Sequence, residues 1–197
     1  MLGVLLAGTG PPETFIQPVA HRVSFRHLAS IEWKKRQKEG FRSMLKQGDT
    51  APDFTLPDAN GKATTLSKLK AKYKVVYFYP KDDTSGCTKE AIDFTALTSA
   101  FEGLHASVIG ISPDAAKSHA KFRDKHDLKV TLLADEEKSA IQAYGVWAEK
   151  KMYGKAYMGV ERSTFLIGPD GKILAVWRGV KVPGHAEAVL QELKNHL

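Results

Sequence analysis

The run Val75-Val76-Tyr77-Phe78-Tyr79, ended by Pro80, restricts the fold more than any other stretch of this chain. Five consecutive β-branched and aromatic side chains leave no polar face, so the segment reads as a central strand buried on both sides. Pro80 has no N–H to offer a ladder and stops it.

The flanking sequence is regularly punctuated. Asn60-Gly61 separates Asp53-Phe54-Thr55-Leu56 from Ala63-Thr64-Thr65-Leu66, which predicts a small hairpin ahead of the strand. After the strand, residues 88–104 place Ala91, Phe94, Leu97, Thr98 and Phe101 on one helical stripe. Strands are expected over 107–111 and 130–133. Between them Ser112-Pro113-Asp114 starts a helix that runs to 126, with Ala120 and Phe122 inward. Asp135 caps a short helix through Tyr144 that Gly145 ends. Residues 148–159 read as a polar, glycine-containing loop. Residues 163–167 and 173–177 flank Pro169-Asp170-Gly171-Lys172 and form an antiparallel hairpin, and 184–197 closes the chain as a helix. The order implies an α/β domain: a mixed central sheet with helices on both faces and an N-terminal β-hairpin.

The domain is expected to occupy 44–197. Residues 1–43 lack a sustained apolar period, and Pro11, Pro12 and Pro18 interrupt them, so a poorly ordered extension is expected there. It could be a translated upstream stretch, an expression remnant or a weak targeting segment. The net charge of +7 is uneven: 1–43 carry seven Lys/Arg against three Glu, while the remainder carries 22 basic against 19 acidic residues. The body is therefore barely basic, and no nucleic-acid partner is expected. No apolar run reaches the roughly 18 to 20 residues of a membrane span, so no membrane association is expected. A single cysteine excludes internal disulfides and multi-cysteine zinc sites, which makes a reducing cytoplasm the default. His119 and His126 are seven residues apart, too far for a usual ligand pair, and neither metal nor cofactor is implied.

The chemistry concentrates in Pro80-Lys81-Asp82-Asp83-Thr84-Ser85-Gly86-Cys87-Thr88-Lys89-Glu90, a polar loop leaving the carboxyl end of the buried strand and entering a helix. Open α/β sheets place their sites there. Cys87 falls in the first helical turn, where unpaired N–H groups and the helix dipole favour an anion, and a thiolate is the nucleophilic form of cysteine. Thr84 can offer a hydroxyl to the sulfur or to a bound oxygen, Gly86 keeps the approach uncrowded, and Pro80 would roof the pocket. The alternative is that Cys87 is a small buried hydrophobe.

Pro80-x-x-x-Thr84-x-x-Cys87 resembles the active-site motif of peroxiredoxins. The wider Tyr77-Phe78-Tyr79-Pro80-Lys81-Asp82 and Gly86-Cys87-Thr88-x-Glu90 are similar to the bacterioferritin comigratory protein, or peroxiredoxin Q, subfamily. Ala51-Pro52-Asp53-Phe54, Met152-Tyr153-Gly154-Lys155, Glu161-Arg162-Ser163-Thr164-Phe165-Leu166-Ile167 and Gly184-His185-Ala186 extend the likeness over 44–197. The resemblance implies a thioredoxin-like fold and reduction of hydrogen peroxide or organic hydroperoxides through a sulfenic acid on Cys87, in cell redox homeostasis and antioxidant defence. It also implies a largely monomeric protein.

Arg162 matches the family's active-site arginine, where a guanidinium would stabilise the thiolate and the charge developing on the peroxide oxygens. The alternative for Arg162 is a surface ion pair with Glu161. Glu90 is a candidate for orienting it. Two departures stand out: Ser85 where many relatives carry proline, and Ile92 where many carry a resolving cysteine. With no second cysteine, the sulfenic acid must be reduced by an external thiol, from thioredoxin, glutaredoxin or a small molecule. Two competing functions are a thiol–disulfide exchange protein, which lacks its Cys-x-x-Cys pair, and a chaperone-like or nucleic-acid-binding module with 1–43 as its arm.

Overall fold

The structure, a computed structural model, describes residues 44–152 and 155–197, so the expectations for 1–43 and for Tyr153-Gly154 fall outside the described residues. A short antiparallel pair, β1 (Thr55–Pro57) and β2 (Ala63–Thr65), precedes the central sheet. The turn between them is wider than a two-residue Asn-Gly connection. The Asp58 carboxylate accepts the N–H groups of Asn60 and Lys62 and closes a five-residue loop, with Gly61 at φ +80°.

The main sheet contains β3 (Tyr73–Phe78), β4 (Ala106–Ser112), β5 (Thr131–Ala134), β8 (Ser163–Ile167) and β9 (Ile173–Arg178) in the spatial order β5-β4-β3-β8-β9. β3 runs parallel to β4 and antiparallel to β8, so the sheet is mixed and β3 lies at its centre. The alternation of β3 divides the core. Val75, Tyr77 and Tyr79 enter one apolar layer with Phe94, Phe101, Phe122 and Val189. Val76 and Phe78 enter the other with Phe54, Ile141, Tyr144 and Phe165. The first layer brings in α1 (Ser85–Ala96), α2 (Thr98–Gly103), α3 (Ala116–His126) and α5 (His185–Lys194); the second brings in α4 (Ser139–Ala143) and the hairpin. Residues beside the central strand must be small where an aromatic ring crosses. A Cβ on Gly110, the β4 partner of Tyr77, would fall 2.5 Å from Tyr77 Cζ.

Three expectations need correction. The helix over 88–104 is two helices, because Leu97 leaves helical geometry at φ −101°, ψ 3° and lets α2 turn to pack Phe101 into the core. The helix from Pro113 begins three residues later, since Ser112 and Asp114 bond to each other, and the Asp114 carboxylate accepts the Asp82 N–H, rather than forming its first turn. The loop over 148–159 is a two-stranded ribbon, β6 (Trp147–Met152) and β7 (Lys155–Val160), paired from Trp147↔Val160 to Met152↔Lys155. Among its described side chains only those at the base, Val146 and Val160, are buried, and the composition of 148–159 carries no strand signal.

Candidate active site

The loop after β3 delivers Cys87 to the first turn of α1. Thr84 is the N-cap, with extended backbone at φ −89°, ψ 151°, and its carbonyl accepts the Thr88 N–H at 2.8 Å. Its exposed hydroxyl donates to the Lys81 carbonyl at 3.2 Å rather than to the sulfur. Pro80 is half-buried where the chain leaves β3. Cys87 itself is only 2% exposed.

Arg162 comes from the short link between β7 and β8. Its neighbour Glu161 donates its N–H to the Val146 carbonyl at 2.7 Å, and its own carbonyl accepts the Val180 N–H at 3.0 Å, so the backbone is fixed on both sides. The guanidinium donates through one nitrogen to Cys87 Sγ at 3.1 Å and through the other to Glu90 Oε2. Sequence positions 87, 90 and 162 thus meet at one point: Cys87 and Glu90 face the same way, one helical turn apart. The surface pairing of Arg162 with Glu161 does not form; Glu161 instead lies 3.7 Å from Arg178. Gly86 sits against the arginine, where a Cβ would be 3.4 Å from Arg162 Nη2.

Burial acts on all three groups. Glu90 is 1% exposed, and its second oxygen has no partner among the described residues. Burial pushes its carboxyl from 4.5 up to about 7, with Arg162 pulling the other way. Burial also disfavours the Arg162 cation, but Glu90 and Cys87 outweigh it and hold the guanidinium above its ordinary range. A stability prediction follows with a definite sign. A carboxyl whose folded value lies above its unfolded one gives stability that is complete below about 4.5 and lost as pH rises to about 7. Glutamine at 90 does not titrate, so the melting temperature of the wild type relative to Glu90→Gln is expected to fall between about pH 4.5 and pH 7. A constant difference in thermal melts across that window would contradict it.

His185, 7% exposed, bonds Thr164 Oγ1 through Nε2 at 2.8 Å, and burial beside Arg162 pushes it down to about 4. The sequence signal for the site was the loop motif and Arg162. Less visible were Asp82 and His119, which meet in the core at 2.9 Å behind the loop.

The AhpC/TSA family profile matches residues 47–176. Peroxiredoxin Bcp of Bacillus subtilis is 49% identical over 148 residues, covering 75% of this chain and 94% of the relative. Peroxiredoxin Bcp of Escherichia coli is 40% identical over 152 residues, covering 77% and 97%. Among solved structures, a cysteine-to-serine mutant of Xylella fastidiosa PrxQ superposes with a TM-score of 0.74 at 42% identity, covering 78% of this chain and 98% of that one. The bacterioferritin comigratory protein of Xanthomonas campestris, studied for its alkyl peroxide reduction, gives a TM-score of 0.69 at 44% identity and covers 73% and 91%. These likenesses establish the thioredoxin-like peroxiredoxin fold. The family profile spans the loop, the helix and the arginine that converge on Cys87, and the chain belongs to the AhpC/TSA family, within its peroxiredoxin Bcp or peroxiredoxin Q group.

Proposed function

We propose that the protein is a one-cysteine thiol peroxidase that reduces hydrogen peroxide and organic hydroperoxides to water and alcohols. The observation that carries this reading is the 3.1 Å contact between Arg162 Nη2 and Cys87 Sγ, made in a site from which water is nearly excluded. Alkyl peroxide reduction by the Xanthomonas campestris relative supports it.

In the proposed reaction the Cys87 thiolate attacks one peroxide oxygen. The S–O bond forms as the O–O bond breaks, and the sulfur gives up two electrons. The proton of the attacked oxygen passes to the departing oxygen, which leaves as water or alcohol, and the sulfenate takes a proton from solvent. Arg162 holds the thiolate and faces the charge that moves onto the departing oxygen. Its second nitrogen is tied to Glu90, which fixes the plane of the fork. Thr84 has spent its proton on the Lys81 carbonyl, so its oxygen remains an acceptor for the O–H of the incoming peroxide. Pro80, with no N–H, covers the pocket without competing for the sulfur.

Cys87 is the chain's only cysteine, and Ile92 is 44% exposed at the place of a resolving cysteine. The sulfenic acid therefore condenses with an external thiol, releasing water, and a second thiol then frees Cys87 from the mixed disulfide. Thioredoxin is the proposed reductant, and the reducing cytoplasm the proposed compartment. Among the described residues, no helix is long and apolar enough to cross a membrane. Peroxide consumption with reduced thioredoxin, glutaredoxin or a small thiol tests the reading: turnover with at least one is expected, and none with any would overturn it.

A further inference from the structure

His119 and His126, unsuited as a metal pair, meet two consecutive residues of the loop that carries Thr84 and Cys87. Asp82 is buried at 6% exposure. One of its oxygens accepts the Tyr79 hydroxyl at 2.7 Å; the other accepts the Ser118 hydroxyl at 2.7 Å and His119 Nδ1 at 2.9 Å. Its N–H donates to Asp114 Oδ2 at 2.8 Å. Burial works against the Asp82 carboxylate, yet bonds from His119, Tyr79 and Ser118 outweigh it and hold the group below its ordinary value. Asp83, at φ +55°, makes an exposed outer pair with Lys125 Nζ at 2.5 Å and His126 Nε2 at 2.7 Å.

Such a cluster contributes little net stability beside an apolar core, because desolvation offsets most of its attraction. Its value lies in the geometry it fixes. The loop has few bonds of its own. The Thr84 side chain makes no cap bond to α1, and the loop's internal tie is the 3.2 Å contact from Thr84 to the Lys81 carbonyl. The contact of Cys87 with Arg162 depends on where α1 begins, and a misplacement of about 1 Å can cost on the order of a hundredfold in rate. Asp82 is the residue through which α3 sets that position.

We propose that Asp82 and His119 form a latch that positions residues 81–84 and the first turn of α1 for attack on peroxide, and keeps that turn closed over Cys87 against larger reagents. The peroxide half of this proposal rests on the peroxidase reading; the closure half does not. It predicts changes of opposite sign in two reactions of one sulfur.

The test uses the full chain and the variants His119→Leu, His119→Asn, Ser118→Ala and Asp83→Asn. Each is measured for oxidation by hydrogen peroxide, for alkylation by iodoacetamide at a pH where the thiol is ionised in every variant, and for thermal melting. His119→Leu is expected to slow oxidation by about tenfold and to speed alkylation several-fold. His119→Asn, which carries an N–H to the place of Nδ1, is expected to restore both. Ser118→Ala removes one donor from the same carboxylate and is expected to shift both rates in the same directions by less, which preserves the test if His119→Leu does not fold. Asp83→Asn should stay within about twofold, because exposed pairs hold little. An unchanged alkylation rate in both His119→Leu and Ser118→Ala, or a change that His119→Asn fails to reverse, overturns the latch. If the wild type ignores peroxide while alkylation follows this pattern, the closure stands and the peroxidase reading falls.

Discussion

Replacing Cys87 with serine is expected to abolish peroxide consumption, by at least about a thousandfold, while leaving the fold intact. Serine is nearly isosteric with cysteine, and the site at 2% exposure accepts it without a cavity. It cannot supply the anion that Arg162 is placed to hold, because a hydroxyl is far too weak an acid. No other thiol exists in the chain to take over. Circular dichroism and thermal melting check the fold, and peroxide consumption checks the chemistry. Retention of more than a small fraction of the rate would move the nucleophile elsewhere.

Arg162→Met is expected to slow the reaction with peroxide by about a hundredfold to a thousandfold and to change alkylation of Cys87 by a neutral reagent very little, once the thiol is ionised in both proteins. Both reactions use the same sulfur at the same depth. An arginine that only favours the thiolate acts equally on the two, so raising the pH removes that contribution from the comparison. What remains is the contact with the peroxide oxygens, which strengthens as charge moves onto the departing atom and has no counterpart in alkylation. Methionine keeps the apolar stem of the side chain and removes the charged head. It also leaves Glu90 buried without its cation, and a carboxyl already pushed up to about 7 can meet that loss by taking a proton. A melting comparison separates this effect from the kinetic one. Equal losses in the two reactions would make Arg162 a residue that sets only the state of the thiol.

The parts of the fold visible in the sequence were those where burial imposes a period. Val75, Tyr77 and Tyr79 face one layer and Val76 and Phe78 the other, so a continuous apolar run marked the centre of the sheet. The ribbon from Trp147 to Val160 leaves no such period, because its described side chains bury little beyond the base and apolar and polar residues pair across it without alternation. The break at Leu97 was missed for the opposite reason: residues on both sides of it bury apolar side chains at helical spacing, so a bend within the stripe leaves the spacing almost unchanged. At the site, the motif placed Cys87 and Thr84 on one loop, and the likeness to the family pointed to Arg162. Glu90 was a candidate for orienting Arg162 and bonds it here, but no local reading could supply its near-complete burial, or that Asp82 would find His119, 37 residues later. Contacts across such separations are made by the order of the strands and helices, which brings α3 against the loop after β3.

The central claim is that Cys87 reacts with peroxide to give a sulfenic acid that this chain cannot resolve alone. Stopped-flow mixing of the reduced protein with one equivalent of hydrogen peroxide, followed by intact mass analysis with and without a sulfenic-acid trap, tests it most directly. The account predicts a rapid gain of one oxygen atom, located on Cys87, captured by the trap, absent in Cys87→Ser and reversed by added thiol. A protein that remains unmodified under these conditions, or that gains its oxygen on a methionine instead, would contradict it.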